Sequence, residues 1–199
     1  MDVGAGDGGY ALHRARTEPT TFVIALDASP DALSDGAWRA KRARLENAAF
    51  LVESVECMPG ELACVADEVT VHFPWGSLLR GLLAADPLVV VPIARLLKDD
   101  GELRVLLSAT GRDGYADVAP ESLGRIATEY AVLGLELQET RPATASDIAA
   151  SRSSWAKRLG APRPVVYARY SRCSSRRGLI SEGISLGPQR IQSTWNRPS

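Results

Sequence analysis

Cysteine and histidine are scarce in this chain, which has three Cys and two His among 199 residues. The three cysteines, Cys57, Cys64 and Cys173, are odd in number and form no CxxC pair. Only His13 and His72 are available to complete a set of metal ligands. Because a zinc site needs about four such ligands at short spacings, the sequence predicts no metal site.

Long hydrophobic runs are also absent. The longest apolar stretches, such as residues 87–94 and 103–107, fall far short of the roughly 20 residues that cross a bilayer. Acidic residues and glycines stand at the start of the chain, where a signal peptide would need a basic and then an apolar region. We therefore expect no membrane partner and a cytoplasmic location by default. A monomer is expected as well.

The charge is unevenly distributed along the chain. The net charge is −1, but residues 171–199 carry five Arg against one Glu. Any nucleic-acid contact by the first 170 residues must therefore use local basic patches. Apolar periodicity is lost from about Cys173, so we predict a folded domain over residues 1–171 and a disordered basic tail over 172–199.

Within the domain, apolar runs of strand length alternate with amphipathic stretches. This alternation predicts an α/β fold, with a mostly parallel sheet covered by helices on both faces. Asp99-Asp100-Gly101 is predicted as a tight turn between a helix and a strand. The predicted strands are 21–27, 49–53, 68–73, 103–108, 133–139 and 165–171. The predicted helices are 9–17, 30–44, 78–83, 88–97, 121–133 and 145–159.

A glycine-rich loop opens the chain. Gly4, Gly6 and Gly9 satisfy GxGxxG, a pattern in which glycines let the backbone approach a ligand at the start of a helix. A dinucleotide pyrophosphate would be repelled by Asp2 and Asp7, whereas these carboxylates would attract the methionine ammonium of S-adenosylmethionine. The charges favour S-adenosylmethionine, with a nicotinamide dinucleotide or a purely structural glycine turn as the alternatives.

One acidic residue ends the next predicted strand, and another follows the strand after it. Asp27 ends its strand and could accept hydrogen bonds from ribose hydroxyls. Glu56 follows the third strand and could accept the exocyclic amine of adenine, although an exposed loop glutamate would give the same pattern. The candidate cofactor-binding residues are Asp2, Gly4, Gly6, Asp27, Val55 and Glu56.

Two tryptophans occur in distinctive contexts. Trp75 follows a strand, and Pro74 and Gly76 beside it indicate a loop, which disfavours a buried core position. In open parallel sheets ligands bind at the carboxyl ends of strands, so Trp75 is expected to project beside the methyl donor. Trp155 and Leu159 share a helix face at i, i+4 spacing, which alone would indicate a packing residue.

These segments together resemble the aminoglycoside-resistance 16S ribosomal RNA methyltransferases that act on N1 of adenine 1408. The resemblance runs from Asp2 to about Ser171 and rests on DVGAGDG at the start, FPWGSLL at 73–79 and SWAKRL at 154–159. It implies the Rossmann-like class I methyltransferase fold, with a seven-strand-type sheet and S-adenosylmethionine as cofactor. The family's first strand precedes the glycine loop, so this strand is largely missing here and its neighbours should lack backbone partners.

The resemblance also implies roles for the aromatic residues. Trp75 and Trp155 would sandwich an adenine flipped out of the decoding-site helix, and Pro74 and Ser77 would line the same pocket. Two indoles can replace the stacking that an extruded base loses. N1 of adenine attacks with its own lone pair, so no general base is required and positioning carries the catalysis.

Basic residues supply candidate RNA contacts. In the family, a basic segment at the place of Arg39, Lys41, Arg42 and Arg44 grips the RNA backbone, although a solvated helix face would have the same composition. Arg158 and Arg163 resemble arginines that hold distorted phosphates near the flipped base. The expected partner is the 30S subunit through its 16S rRNA. The alternatives are a methyltransferase with another RNA or small-molecule substrate, and a non-catalytic, truncated RNA-binding remnant.

Overall fold

The computed structural model describes residues 1–111, 114–115, 118–154 and 163–173. Within them the chain forms one seven-stranded sheet in the order β3-β2-β1-β4-β5-β7-β6. In this sheet β7 pairs antiparallel with both of its neighbours, β5 and β6, and the other neighbouring strands pair in parallel. The strands are β1 Asp2–Val3, β2 Val23–Asp27, β3 Ala48–Val52, β4 Ala66–His72, β5 Leu97–Leu107, β6 Leu135–Pro142 and β7 Val166–Arg172. The predicted α/β fold with a mostly parallel sheet is confirmed.

Seven helices of the described residues connect these strands, and local capping fixes where several of them begin. Ser29 caps α2 by accepting a hydrogen bond from the Ala32 N–H at 3.3 Å, and Asp86 caps α4 through the Leu88 N–H at 2.9 Å. A proline follows each of these caps, at a position where its missing N–H costs nothing. The helices are α1 Gly9–Thr17, α2 Pro30–Arg42, α3 Gly76–Ala84, α4 Pro87–Leu96, α5 Pro120–Arg125, α6 Ala127–Val132 and α7 Ala145–Ala150.

The helices cover both faces of the sheet. On one face, residues of α1 and α2 bury a small cluster with Val23 and Ala25 of β2. On the other face, α3 to α6 contribute to a larger core that includes Leu26 of the same strand. Alternate residues of β2 therefore face opposite layers, as the period of two in a strand requires. In the described part of the chain no single helix is long and apolar enough to cross a membrane. Helices α3 and α4 have the required length and apolarity only when they are taken together, and the angle between them is 92°.

Several predicted boundaries were wrong, among them the end of the helix predicted at 145–159, which stops at Ala150. The strand β5 begins at Leu97 and runs through Asp99-Asp100-Gly101, where Asp100 has φ of 64° and the pairing with β4 shifts register. The predicted turn is therefore a bulge inside a strand, stabilised by pairing on both sides of it. The predicted helix 121–133 is two helices, because the backbone at Ile126 leaves helical geometry.

The central strand β1 is short, as predicted. Asp2 pairs with Ala25 of β2 and with Thr70 of β4. The Met1 ammonium donates to the Glu68 carbonyl at 2.5 Å, which gives one backbone acceptor of β4 a partner. Below β1, a cavity of about 450 Å³ separates the beginnings of β2 and β4. The carboxyl ends of β1, β2 and β4, by contrast, lie side by side.

Candidate active site

A cleft of about 260 Å³ lies at the carboxyl ends of the central strands. The segments that follow β1, β2, β3 and β4 all contribute to its walls, which is where open parallel sheets bind ligands. Eight of the residues singled out from the sequence line it: Gly4, Gly6, Asp27, Val55, Glu56, Pro74, Trp75 and Ser77. The fold thus brings together residues that are more than 70 positions apart in the chain.

The glycine loop forms one wall of the cleft. The Ala5 N–H donates to the Leu26 carbonyl at 2.9 Å, and the Gly6 N–H donates to Asp27 Oδ2 at 2.7 Å. Gly6 has φ of 55°, and a Cβ built on it would meet no atom within 4 Å. The backbone at Gly6 therefore lies open to a ligand in a conformation that other residues rarely adopt.

Asp27 ends β2 and connects the loop to α2. Its Oδ2 accepts from Gly6, and its Oδ1 accepts from the Ser29 N–H at 2.9 Å. A carboxylate has about four acceptor positions, so two backbone bonds leave capacity for hydroxyl groups of a ligand in the cleft. The two bonds also fix the orientation of the carboxylate before any ligand arrives.

The cleft is also lined by the residues expected to border an adenine. Val55 and Glu56 lie on a 3₁₀ turn, Val55–Cys57, that follows β3. Val55 is buried and presents an apolar surface, whereas Glu56 is exposed at the rim of the cleft. The pair therefore offers an apolar contact and a carboxylate on the same short turn.

Trp75 occupies the first position before α3, with an extended backbone. Its side chain is 64% exposed while it lines the cleft, so the alternative of a buried core tryptophan is wrong. Pro74, the preceding residue, is buried, and Ser77 is the second residue of the helix. A large aromatic surface is therefore held at the mouth of the cleft by a rigid proline and a helix start.

Asp2 lies behind the main cleft, in a smaller adjoining pocket that also includes Ser151 to Ser154. The residue is 2% exposed, and the Thr70 hydroxyl donates to Asp2 Oδ1 at 3.0 Å. Burial raises the pKa of Asp2 to about 7, although the Thr70 bond opposes the shift. The buried carboxyl is thus neutral in part of the molecules near neutral pH unless a cation approaches it.

His72 faces Asp2 across this pocket. Its Nδ1 lies 3.9 Å from Asp2 Oδ1 and, among the described residues, has no hydrogen-bond partner. Burial lowers the pKa of His72 to about 4, so the ring is neutral near pH 7. Sequence reasoning considered His72 only as a metal ligand and missed its contact with Asp2, because nothing local marks a contact across 70 residues.

The basic cluster on α2 divides into two parts. Lys41, Arg42 and Arg44 are exposed, and the guanidinium of Arg42 lies 4.6 Å from the ring centroid of Trp38. Arg39 instead turns back toward the glycine loop, where its Nη2 donates to the Asp7 carbonyl at 2.5 Å. Three residues of this cluster therefore face solvent, whereas the fourth, Arg39, bonds within the protein while its side chain stays 41% exposed.

Two predicted site residues, Trp155 and Arg158, lie outside the described residues. Residues 174–199 of the predicted tail lie outside them as well. Arg163 is described and is half-buried just before β7. Ser153 and Ser154, which precede Trp155 in the chain, border the pocket of Asp2.

Comparison with known proteins shows which family the chain belongs to. The family model described as NpmA: 16S rRNA (adenine(1408)-N(1))-methyltransferase matches residues 1–173. The chain belongs to this family. A 16S rRNA (adenine(1408)-N(1))-methyltransferase of Streptoalloteichus hindustanus is 32% identical over 175 residues, covering 82% of this chain and 80% of that protein.

Solved structures of the family share the fold. A substituted form of the 16S rRNA (adenine(1408)-N(1))-methyltransferase from Catenulisporales acidiphilia, with cosubstrate SAM, is similar with a TM-score of 0.80 and 27% identity, covering 88% of this chain and 85% of that one. The aminoglycoside resistance methyltransferase NpmB1 has a TM-score of 0.71 and 32% identity, covering 86% of this chain and 85% of that one. The resemblance inferred from the sequence motifs is therefore confirmed, and so is the Rossmann-like fold.

A close contact between α2 and the glycine loop was not predicted from the sequence, although a glycine inside the helix indicates it. Gly36 stands in the interior of α2, where glycine costs about 1 kcal/mol relative to alanine. A Cβ there would lie 2.8 Å from the Asp7 carbonyl oxygen and 2.7 Å from Phe50 Cε1. The helix glycine therefore marks a close approach between α2 and the glycine loop.

Proposed function

We propose that this chain transfers the methyl group of S-adenosylmethionine to N1 of adenine 1408 of 16S rRNA in the assembled 30S subunit, and that it confers aminoglycoside resistance. The observation that carries the proposal is the convergence of the glycine loop, Asp27 and Trp75 on one cleft, in a member of this family. A methyl group and a positive charge on N1 would remove the acceptor that the drug uses and would repel its ammonium groups.

The residues of the cleft fit the cofactor. Gly6 leaves open space at the loop, Asp27 retains acceptor capacity for ribose hydroxyls, and Asp2 offers a buried carboxyl with no cation paired to it at hydrogen-bond distance among the described residues. Val55 and Glu56 would contact the adenine ring and its amine. When bound, S-adenosylmethionine supplies an electrophilic methyl group on a sulfonium.

The chain's own contribution is positioning. Adenine N1 carries a free lone pair, so the acceptor needs no proton removed and no general base is required. Trp75 would stack on one face of the flipped base, and Trp155 would stack on the other. Pro74 and Ser77 would complete the pocket edge, and the indole faces would stabilise the cation that forms.

RNA docking is assigned to the exposed basic face of α2, together with Arg158 and Arg163. Lys41, Arg42 and Arg44 are exposed at the C-terminal end of the helix and just after it, where phosphate groups can reach them. Contacts of this kind are electrostatic, so they weaken as salt displaces them. The proposed order is docking through these residues and then extrusion of the target base into the cleft.

The direct test uses 30S subunits and labelled S-adenosylmethionine, followed by reverse transcription across the decoding-site helix. N1 methylation blocks Watson–Crick pairing, so a cofactor-dependent stop at adenine 1408 is expected. Cofactor binding without a stop at this base would indicate a methyltransferase with another substrate. Absence of cofactor binding by a folded chain would indicate the non-catalytic remnant.

Arg42→Glu is expected to weaken 30S binding and to make its salt dependence shallower by about one unit of slope in log K against log salt. The physical reason is that one phosphate contact, with its counterion release, is lost. Filter binding of 30S subunits at several salt concentrations measures both effects.

The matched control for this variant is Arg95→Glu. Arg95 is an exposed arginine near the end of α4, two residues before β5 begins, and the charge change is the same. If both variants lower 30S affinity equally, net charge explains the effect and α2 is not the docking surface.

A further inference from the structure

The guanidinium of Arg39 is hydrogen-bonded to the glycine loop. Its Nη2 donates to the Asp7 carbonyl at 2.5 Å and lies 3.7 Å from the Asp7 carboxylate. Its Nε donates to the Asp35 carbonyl one turn earlier in α2, at 3.3 Å. One planar group thus connects the helix backbone to the loop, with a geometry that an ammonium on a flexible stem would not reproduce.

Helix α2 approaches the loop closely at the same point. Gly36 lies one turn before Arg39, and the missing side chain lets the Asp7 carbonyl lie against the helix. Positions i and i+3 of a helix share a face, so Gly36 makes room for the carbonyl and Arg39 bonds to it. The two residues form one contact, which we term the Asp7 contact.

The Asp7 contact completes the support of the loop. Its first half is held by the sheet, through Ala5 to Leu26 and Gly6 to Asp27. Its second half turns into α1, where the Gly9 N–H donates to Asp7 Oδ1 at 3.1 Å. Asp7 is therefore held from two sides: its carboxylate accepts from the start of α1, and its carbonyl accepts from Arg39 of α2.

We infer that Arg39 is a positioning residue of the cofactor loop and is not one of the RNA contacts. Its bond to Asp7 fixes the loop whose Gly4 and Gly6 line the cleft, and so organises the cofactor site before ligand binding. The inference rests on the proposed function for the identity of the cofactor. Arg42, three residues later on the same helix, stacks on Trp38 and leaves the loop untouched in the described contacts.

The test compares Arg39→Ala, Arg39→Lys and the matched variant Arg42→Ala. Titration calorimetry with S-adenosylmethionine, without RNA, is expected to show about tenfold weaker binding for Arg39→Ala, because a hydrogen bond from a charged donor is lost. Arg42→Ala should bind the cofactor as the unchanged protein does. Arg39→Lys should recover part of the affinity, because an ammonium can still donate one bond to the carbonyl.

Kinetics on 30S subunits separate positioning from general damage. Arg39→Ala should raise KM for S-adenosylmethionine about tenfold, with kcat at saturating cofactor changed by less than about twofold. Its 30S affinity should be unchanged, whereas that of Arg42→Ala should fall. Hydrogen exchange of residues 2–10 in the cofactor-free protein should be faster in Arg39→Ala alone, which is a readout independent of any ligand.

Opposite results would overturn the inference. Unchanged cofactor affinity together with weaker 30S binding in Arg39→Ala would place Arg39 among the RNA contacts. If Arg39→Ala does not fold, the same measurements on Arg39→Lys decide, since that variant keeps the charge and the stem. Failure of the unchanged protein to bind S-adenosylmethionine would refute the proposed function, while equal binding by all variants would refute only the role of Arg39.

Discussion

Replacing Trp75 by alanine is expected to lower methylation of adenine 1408 by about a hundredfold, with cofactor affinity changed by less than about twofold. Trp75 is 64% exposed at the mouth of the cleft, so its removal leaves the core intact. The lost indole face is the surface on which the flipped base would stack, and stacking of this kind is worth about 1–3 kcal/mol for each base. Single-turnover methylation of 30S subunits and calorimetry with S-adenosylmethionine measure the two effects.

Trp75→Phe is the matched control, because it keeps a ring face of smaller area and is expected to retain more of the rate than alanine does. The same loss is expected for Trp155→Ala, if that residue supplies the second face. A fall in cofactor affinity equal to the fall in rate would assign Trp75 to the cofactor instead of the base. A rate equal to that of the unchanged protein would remove the stacking role.

The affinity for S-adenosylmethionine is expected to rise about tenfold per pH unit from about pH 5 to about pH 7, and to level off above that. Burial raises the pKa of Asp2 to about 7, so below that pH the carboxyl must release a proton before it can attract the methionine ammonium. The groups around it act in both directions. The Thr70 bond and the Met1 ammonium lower this pKa, and the carboxylates of Asp27 and Asp7 raise it.

Asp2→Asn removes this titrating group while keeping the size of the side chain. Cofactor binding by the variant should be weaker at pH 8 and should lose the steep dependence between about pH 5 and about pH 7. Calorimetry at four pH values provides the comparison. A steep dependence that persists in Asp2→Asn would assign the proton to another group.

Unfolding of the cofactor-free protein gives a second measure of the same shift. The native Asp2 keeps a proton that the unfolded chain has released between pH 3.8 and about 7, so the Asp2 contribution to the free energy of unfolding falls as the pH rises through that window. Asp2→Asn should therefore become more stable relative to the unchanged protein by up to about 1.4 kcal/mol per pH unit across it.

His72 acts in the opposite direction. Burial lowers its pKa to about 4 from 6.5, so its contribution to the free energy of unfolding is lost as the pH falls through that window. In the unchanged protein the two contributions offset each other between about pH 4 and about pH 6.5. In Asp2→Asn only the His72 contribution remains of the two. The free energy of unfolding of this variant should therefore fall on acidification.

Much of the fold follows from local sequence patterns. The predicted helix at Gly9–Thr17 matches the observed α1, and β2, β3, β4 and β7 lie within two residues of their predicted positions. Strand-length apolar runs and caps such as Ser29 act over a few residues, so they can be recognised without knowing the rest of the chain. The bulge at Asp100 could not, because pairing with β4 on both sides of it decides that the strand continues.

The residues of the candidate site were likewise visible in the sequence, since the glycine loop and the FPWGSLL segment each carry their pattern within seven residues. The contacts between these residues, and the effects of those contacts on burial and pKa, were decided by the tertiary structure. Only packing brings Thr70 and His72 to Asp2, where burial raises the pKa of the carboxyl. Only the approach of α2 to the loop separates Arg39 from Arg42, which the sequence places in one basic cluster. Residue identity and local periodicity are properties of neighbouring positions, whereas burial, proton affinity and hydrogen-bond partners depend on contacts between segments far apart in the chain.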